Sequence, residues 1–411
     1  MSIDVKMAWR NIWRNPRRSL LTILAIAFAS LLLVFMLSWQ FGSYDTMINS
    51  AVSIHTGHLQ VQAKGYNDKR SIRMVVPDPA HVTQILDDTP AVAAYTVRAN
   101  GFSLVSSKER TYGAVVTGID PEREAAVSTL KTLVRQGDYL APGDIDQALV
   151  GKLLAKNLQV DLGDELVVLG QGRDGSIAAT TVKVKGIFSS GQDALDRSTI
   201  HIPLHYFQDV YAMYGAAHEV VVMGNSLGSV PDIERHVAAA MKGKDKTANL
   251  VALDWKELMP GLIQAIKVDL VSGFIFYIIL IVVVAFSILN TFLMAIFERT
   301  KEFGVLMAMG TTSARLTKIL LIESATMTLV GIALGIVAGI VVTWYFQIHG
   351  IVISGASEIM RQYGLPERMF PRLSLLSVSI GPAVVLVITV LTALYPAFKV
   401  RRLRPVEAMR S

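Results

Sequence analysis

The sequence predicts an α-helical membrane domain with four transmembrane helices plus an α+β extracytoplasmic domain, and three observations lead there. Of 411 residues, 52% are hydrophobic and only 18% charged, too apolar for an ordinary soluble chain of this length. Four nearly uncharged runs, residues 19–44, 270–297, 319–357 and 373–398, each supply the roughly 20 apolar residues that cross about 30 Å of hydrocarbon. Residues 45–269, between the first two runs, have soluble composition and sufficient length for a core of their own.

Residues 1–18 predict an interfacial helix on the cytoplasmic side. Trp9, Ile12 and Trp13 share one face, while Arg10, Arg14 and Arg18 recur at i, i+4 on another with Arg17 beside them. Such a helix lays its apolar side among headgroups and its basic side toward anionic lipid. Asn15-Pro16 breaks it before the first span, residues 19–44. Apolarity continues to Phe41, too far for the core of a signal peptide, so the span is an uncleaved anchor.

In the domain 45–269, residues 58–62 and 91–105 alternate as strands around a helix at 79–88. A second such unit follows, with strand 218–223, helix 230–241 and strand 249–253. Two βαβ units predict a ferredoxin-like lobe from residues 45–110 and 215–260, interrupted by a strand-rich inserted lobe, 111–214. Within the insertion, 115–119, 165–169 and 180–188 read as strands and 149–157 as a helix.

The second span is 270–297, and residues 298–312, ERTKEFGVLMAMGTT, follow it. Phe303, Leu306, Met307 and Gly310 stand at i, i+3, i+4, i+7, Glu298 and Glu302 at i, i+4, and Gly310 supplies a helix stop. A short helix with one apolar stripe suits a groove on a partner protein, the alternative being that it lies flat on the membrane. The third span, 313–346, carries Gly331, Gly335 and Gly339 on one face, a helix-packing signal. It also carries Glu323, for which a structural pairing near the interface is the favoured role over a functional one. An extracytoplasmic loop, 347–372, the fourth span, 373–398, and a tail, 399–411, complete the chain.

Charge orients these segments. The parts before the first span, between residues 298 and 318, and after Phe398 hold five, four and five Lys or Arg against only Asp4, Glu298, Glu302 and Glu407; residues 45–269 hold 22 basic and 26 acidic residues. By the positive-inside rule both termini are cytoplasmic and the large domain lies outside. The net charge of +6 therefore reports topology and membrane-lipid contact, with no nucleic-acid partner expected.

Several chemistries are excluded by composition. Cysteine is absent, so neither disulfides nor thiolate sites form. No Gly-rich phosphate loop is present: Gly243-Lys244 is followed by Asp245. His218-Glu219 lacks the second half of a zinc motif, and His201 with His205 lacks a third ligand at a telling spacing. These histidines read as ordinary surface or core residues.

Three border motifs carry a resemblance: Ala8-Trp9-Arg10-Asn11 through Arg18-Ser19-Leu20-Leu21-Thr22, Glu298 through Gly310, and Leu394-Tyr395-Pro396-Ala397 through Arg404-Pro405-Val406-Glu407-Ala408-Met409-Arg410. In that order they resemble ABC permeases of the macrolide-exporter and lipoprotein-releasing family, to which cell-division permeases are related. Residues 53–62 with Gly65-Tyr66, and Phe188-Ser189-Ser190-Gly191 before Asp196-Arg197-Ser198, are most similar to the lipoprotein-releasing branch.

The resemblance implies a non-catalytic permease subunit in a bacterial inner membrane, with its outer domain, built on a porter-like lobe, in the periplasm. It implies a dimer with a second permease, identical or paralogous, on a cytoplasmic ABC ATPase dimer, so that ATP and Mg are used by the partner and no cofactor is bound here. Glu298, Arg299, Lys301, Glu302, Phe303, Gly304, Leu306, Met307 and Gly310 would form the helix that docks on the ATPase. Lipoproteins or other amphiphiles would leave the outer leaflet through a cavity between the first two spans, for which Val34, Phe35, Leu37, Phe41, Phe274, Phe276, Tyr277 and Ile278 are the candidates, and pass to a periplasmic carrier. The alternative is a mechanotransmitter that regulates extracytoplasmic cell-wall enzymes without transport; no constellation supports an enzyme.

Overall fold

In the computed structural model, which describes residues 3–242, 247–352, 355 and 368–401, four helices are long and apolar enough to cross a membrane. They are Pro16–Ala51, Pro260–Glu298, Ser313–His349 and Leu375–Arg401. The predicted tail from residue 402 onward, most of the loop 347–372, and Gly243-Lys244 lie outside the described residues. The described residues of 1–45, 266–352 and 368–411 form one compact unit, the helical unit; those of 46–265 form the strand-rich unit.

In the helical unit, helix Ile3–Arg14 ends two residues before Pro16, where the ring fixes φ and removes a donor. The Ser19 hydroxyl donates to the Ile12 carbonyl at 2.8 Å, closing the corner. The glycine face of the third span meets the first. A Cβ on Gly335 would lie 2.5 Å from the Ala27 carbonyl oxygen, and one on Gly339 would lie 3.0 Å from the Val34 side chain. Small residues here let two helices approach to backbone contact, the packing that replaces the hydrophobic effect in lipid.

Ten strands build the strand-rich unit: β1 (Leu59–Ala63), β2 (Val92–Ser106), β3 (Thr111–Ile119), β4 (Val134–Gly137), β5 (Gln147–Gly151), β6 (Glu165–Gln171), β7 (Ile177–Phe188), β8 (Thr199–Pro203), β9 (Glu219–Gly224) and β10 (Leu250–Asp254). Four are ordered β10-β1-β9-β2, with every neighbour antiparallel. Helix Pro79–Asp87 joins β1 to β2 and helix Val230–Met241 joins β9 to β10. Both bury their apolar stripes (Val82, Ile85, Leu86; Ile233, Val237, Met241) against Leu59, Val61, Val220 and Val222.

The 15-residue β2 serves both halves of this unit. Past Arg98 it pairs with β3 on one edge and, from Ser103, with β6 on the other. The path β2-β3-β8-β5-β7-β6 returns to β2, so six strands close a barrel and leave no free edge on that ring. Phe207 and Tyr211, stacked at 4.1 Å, pack into its core, where Gly118 makes room: a Cβ would sit 2.5 Å from the Phe207 side chain. Leu149 and Val150, expected in a helix, belong to β5, and the helix begins only at Lys152. Both are fully buried, and a short apolar run buried on both faces has no period that separates strand from helix.

One buried ion pair sits where these parts meet. Arg98 of β2 forks onto Glu124 of helix Pro121–Val127 at 2.6 and 2.9 Å, both side chains about 1–2% exposed. The same guanidinium donates to the His55 carbonyl, in the single π-turn Val52–Thr56 that continues the first long helix. The Thr129 amide donates to Ser53 O at 2.8 Å. A bidentate Arg–carboxylate pair is geometrically exacting, so it fixes β2, this turn and helix Pro121–Val127 together.

His201 and His218 are buried too, and burial pushes each down to about 4. His201 meets the Phe188 ring edge at 5.2 Å; His218 stacks on Tyr66, and its Nδ1 accepts the Asn100 amide at 2.9 Å.

Two outcomes follow for denaturant unfolding of the full chain, read by circular dichroism. Glu124→Ala leaves a buried guanidinium unpaired and costs about 3–5 kcal/mol, whereas Arg98→Met combined with Glu124→Leu recovers most of that loss. For the histidines, the folded state holds neutral rings that the unfolded chain protonates near its ordinary value of about 6.5. Their contribution is complete above pH 6.5 and is lost as pH falls toward 4; His201→Gln makes that decline shallower.

Candidate functional site

The linker after the second span forms helix Thr300–Ala308, ended by Gly310 at φ +96°, a conformation glycine adopts without cost. Six charges brace it. Arg299, 7% exposed, donates to Glu302 from Nε and to Glu323 of the third span from Nη1, both at 3.3 Å. Its guanidinium also lies 5.3 Å from the Phe303 ring centroid. Arg14 forks onto both oxygens of Glu302, and Arg18 donates to Glu298 at 2.8 Å. The hydrogen bond from Arg14, aided by its charge and by Arg299, holds the Glu302 carboxyl below the usual carboxylate range.

This geometry corrects the expected docking face. Phe303 is 3% exposed and packs on Ile296 and Leu316, with Leu306 and Met307 half-buried beside it. Gly304 is buried as well, while Lys301 is exposed. The predicted stripe thus seats the helix on its own chain, where Ile296 and Leu316 cover Phe303. The face left open carries Lys301, Val305 and Met309, the last two 51% and 70% exposed. Glu298 and Glu302, expected to make polar contact with a partner, hold Arg18 and Arg14. The matching signal was present: Arg14 and Arg18 stand four residues apart, as Glu298 and Glu302 do, and the structure pairs them in reverse order, Arg14 with Glu302 and Arg18 with Glu298.

The amphipathic helix is also divided differently from its predicted faces. Ile12 and Ala8 are buried, and Ile12 joins the cluster of Ile26 and Met327. Trp9 and Trp13 remain exposed and meet edge to face at 6.1 Å. Arg10, Arg14 and Arg17 are exposed and Arg18 half-buried, with Arg14 and Arg18 ion-paired to Glu302 and Glu298.

Of the predicted cavity residues, Val34 is fully buried against Gly339 and Phe35 lies edge-on to Phe346 at 5.8 Å. These two therefore face the third span, not a space between the first and second. Leu37 and Phe41 are half-buried; Phe274, Phe276 and Ile278 are exposed. Tyr277 alone of the set joins the two spans, by donating to Gln40 Oε1 at 2.8 Å. Hydropathy could not reveal Gln40, Tyr44 and Asp269 as its companions, because they fall at the polar margins of the apolar runs. Among the described residues, no group of three His, Asp or Glu is placed to hold a metal ion.

Comparison with known proteins adds the following. Residues 19–240 match the family described as MacB-like periplasmic core domain, and residues 274–405 match FtsX-like permease C-terminal. The lipoprotein-releasing system transmembrane protein LolC of Xylella fastidiosa (strain 9a5c) is 24% identical over 95% of this chain and 93% of its own. The macrolide export ATP-binding/permease protein MacB of Agrobacterium fabrum is 25% identical over 85% of this chain and 54% of its own. The solved periplasmic region of MacB from Actinobacillus actinomycetemcomitans shares 15% identity over 52% of this chain and 94% of that one, with a TM-score of 0.37.

The divided faces of helix Thr300–Ala308 lead to opposite outcomes for similar substitutions. Phe303→Asp buries a carboxylate in an apolar site and lowers the thermal midpoint of the detergent-solubilised chain by several degrees. Val305→Asp and Met309→Asp, on the open face, leave that midpoint within about a degree.

Proposed function

Because the chain belongs to the permease family that combines a MacB-like periplasmic core domain with an FtsX-like C-terminal region, we propose that it is the membrane subunit of an ABC transporter. In this reading it takes work from a separate cytoplasmic ATPase and spends it extracting lipoproteins or other amphiphiles from the outer leaflet of the inner membrane. The observation that carries the cargo is the similarity to a lipoprotein-releasing protein along nearly the whole of both chains. The positive excess flanking the spans supports cytoplasmic termini. The order β10-β1-β9-β2, with one helix between β1 and β2 and another between β9 and β10, supports reading that half of the outer domain as a ferredoxin-like porter lobe.

Work enters through helix Thr300–Ala308. Its open face of Lys301, Val305 and Met309 meets the ATPase, while Arg299 and the Arg14–Glu302 pair tie it to the third span and the N-terminal helix, and Arg18–Glu298 ties the end of the second-span helix beside it to the first span. A push on that face is then delivered to helices, where a loop would absorb it. ATP and Mg belong to the partner's site. A second permease completes the assembly, and a periplasmic carrier receives the cargo.

Two experiments test this. Val305→Asp with Met309→Asp should reduce co-purification of the ATPase subunit at least tenfold at unchanged chain abundance, and undiminished recovery removes the docking role from this face. Affinity capture on the full chain should recover lipidated proteins or their carrier. Recovery of peptidoglycan enzymes in their place moves the reading to a mechanotransmitter without transport.

A further inference from the structure

Among its described residues, the second span is almost wholly exposed along its apolar stretch, yet one polar chain ties its outer half to the first span. The Tyr277 hydroxyl donates to Gln40 Oε1 at 2.8 Å, Gln40 Nε2 donates to the Tyr44 hydroxyl at 2.8 Å, and that hydroxyl donates to Asp269 Oδ2 at 2.6 Å. Every donor in the chain has an acceptor, and the chain ends on a carboxylate. Asp269, Gly273 and Tyr277 recur every four residues on one helix face, as Gln40 and Tyr44 do on the other. Gly273 is the notch between them: a Cβ there would lie 2.7 Å from Gln40 Nε2.

The first span is itself held from the other side. The Ser38 hydroxyl donates to Ser377 Oγ of the fourth span at 2.9 Å, and the Arg372 guanidinium pairs with Asp45. Both tied helices are the ones through which the chain enters and leaves the strand-rich unit, since residues 46–265 begin within Pro16–Ala51 and end within Pro260–Glu298. The two bonds through Gln40 are partly buried, where water competes less, and the bond to Asp269 is exposed.

We infer that Gln40, Tyr44, Gly273, Asp269 and Tyr277 form a clamp that makes the first and second helices a single lever, so that the two deliver one stroke to the outer domain. These are positioning residues, and the inference rests on the ATPase-driven reading above. It opposes the alternative in which the first two spans part to admit cargo between them, for which the same contacts would be a gate that opens in every cycle.

The absence of cysteine makes the test direct. The full chain is purified with the ATPase subunit that accompanies it, reconstituted in lipid, and labelled at Glu109→Cys, an exposed site of the strand-rich unit, with an environment-sensitive dye. The parent should show an emission change with Mg-ATP and vanadate. Adding Gln40→Leu, Tyr277→Phe and Asp269→Asn should shrink that change at least fivefold, with ATP hydrolysis within twofold of the parent. An undiminished change overturns the clamp. A parent with no accompanying ATPase, or with no emission change, overturns the coupling reading itself.

In a second, unlabelled chain, Gln40→Cys and Gly273→Cys are bridged by a short bifunctional thiol reagent. A lever retains hydrolysis within twofold of the unbridged form at full bridging. Loss of hydrolysis that returns when a reducible bridge is cleaved makes the contact a gate and overturns the proposal.

Discussion

The Arg299 guanidinium is the interaction on which the base of the helical unit depends. It is almost sealed from solvent, yet it carries a charge that protein surroundings do not remove, so its position requires carboxylates. Glu323 on the third span and Glu302 on the linker helix supply them, and Glu302 is shared with Arg14. With Arg18 and Glu298 the group is neutral, three against three. Five helices therefore converge on one set of charges, and removing Arg299 alone would leave Glu323 buried without its ion pair. Arg98 plays the corresponding part in the strand-rich unit, where the carbonyl of His55, the Glu124 carboxylate and strand β2 meet on one guanidinium.

Legibility followed the physics of each signal. The spans announce themselves because about 20 apolar residues without charge have no other common use. Their ends do not, since helix Pro16–Ala51 continues for 36 residues, about 54 Å at 1.5 Å per residue, well beyond the apolar run. Helix Val230–Met241 was readable to the residue, as Pro231 opens it and its stripe faces one sheet. Barrel closure was not readable, because β2 with β6 and β3 with β8 pair across long sequence separations that no local pattern encodes.

At the candidate site the elements were legible and the faces were not. Residues Glu298 to Gly310 contain apolar side chains on both sides, Phe303 and Met307 on one and Val305 and Met309 on the other. Periodicity shows that a stripe exists without showing what covers it. Glu323 was visible as a lone carboxylate in an apolar run; the identity of its partner required the fold, since Arg299 lies 24 positions away.

The first helix unites these observations. Its third-span side is shaped by absent side chains, where Gly331, Gly335 and Gly339 admit its backbone. Its second-span side is shaped by polar ones, Gln40 and Tyr44. Close backbone packing resists sliding because Ile26, Ser30 and Val34 of the first helix fill the notches at Gly331, Gly335 and Gly339. The hydrogen-bonded side resists separation, because parting it would leave the Tyr277 hydroxyl and the Gln40 amide without these partners beside the apolar stretch. A helix restrained in both ways continues into a π-turn that Arg98 and Thr129 hold.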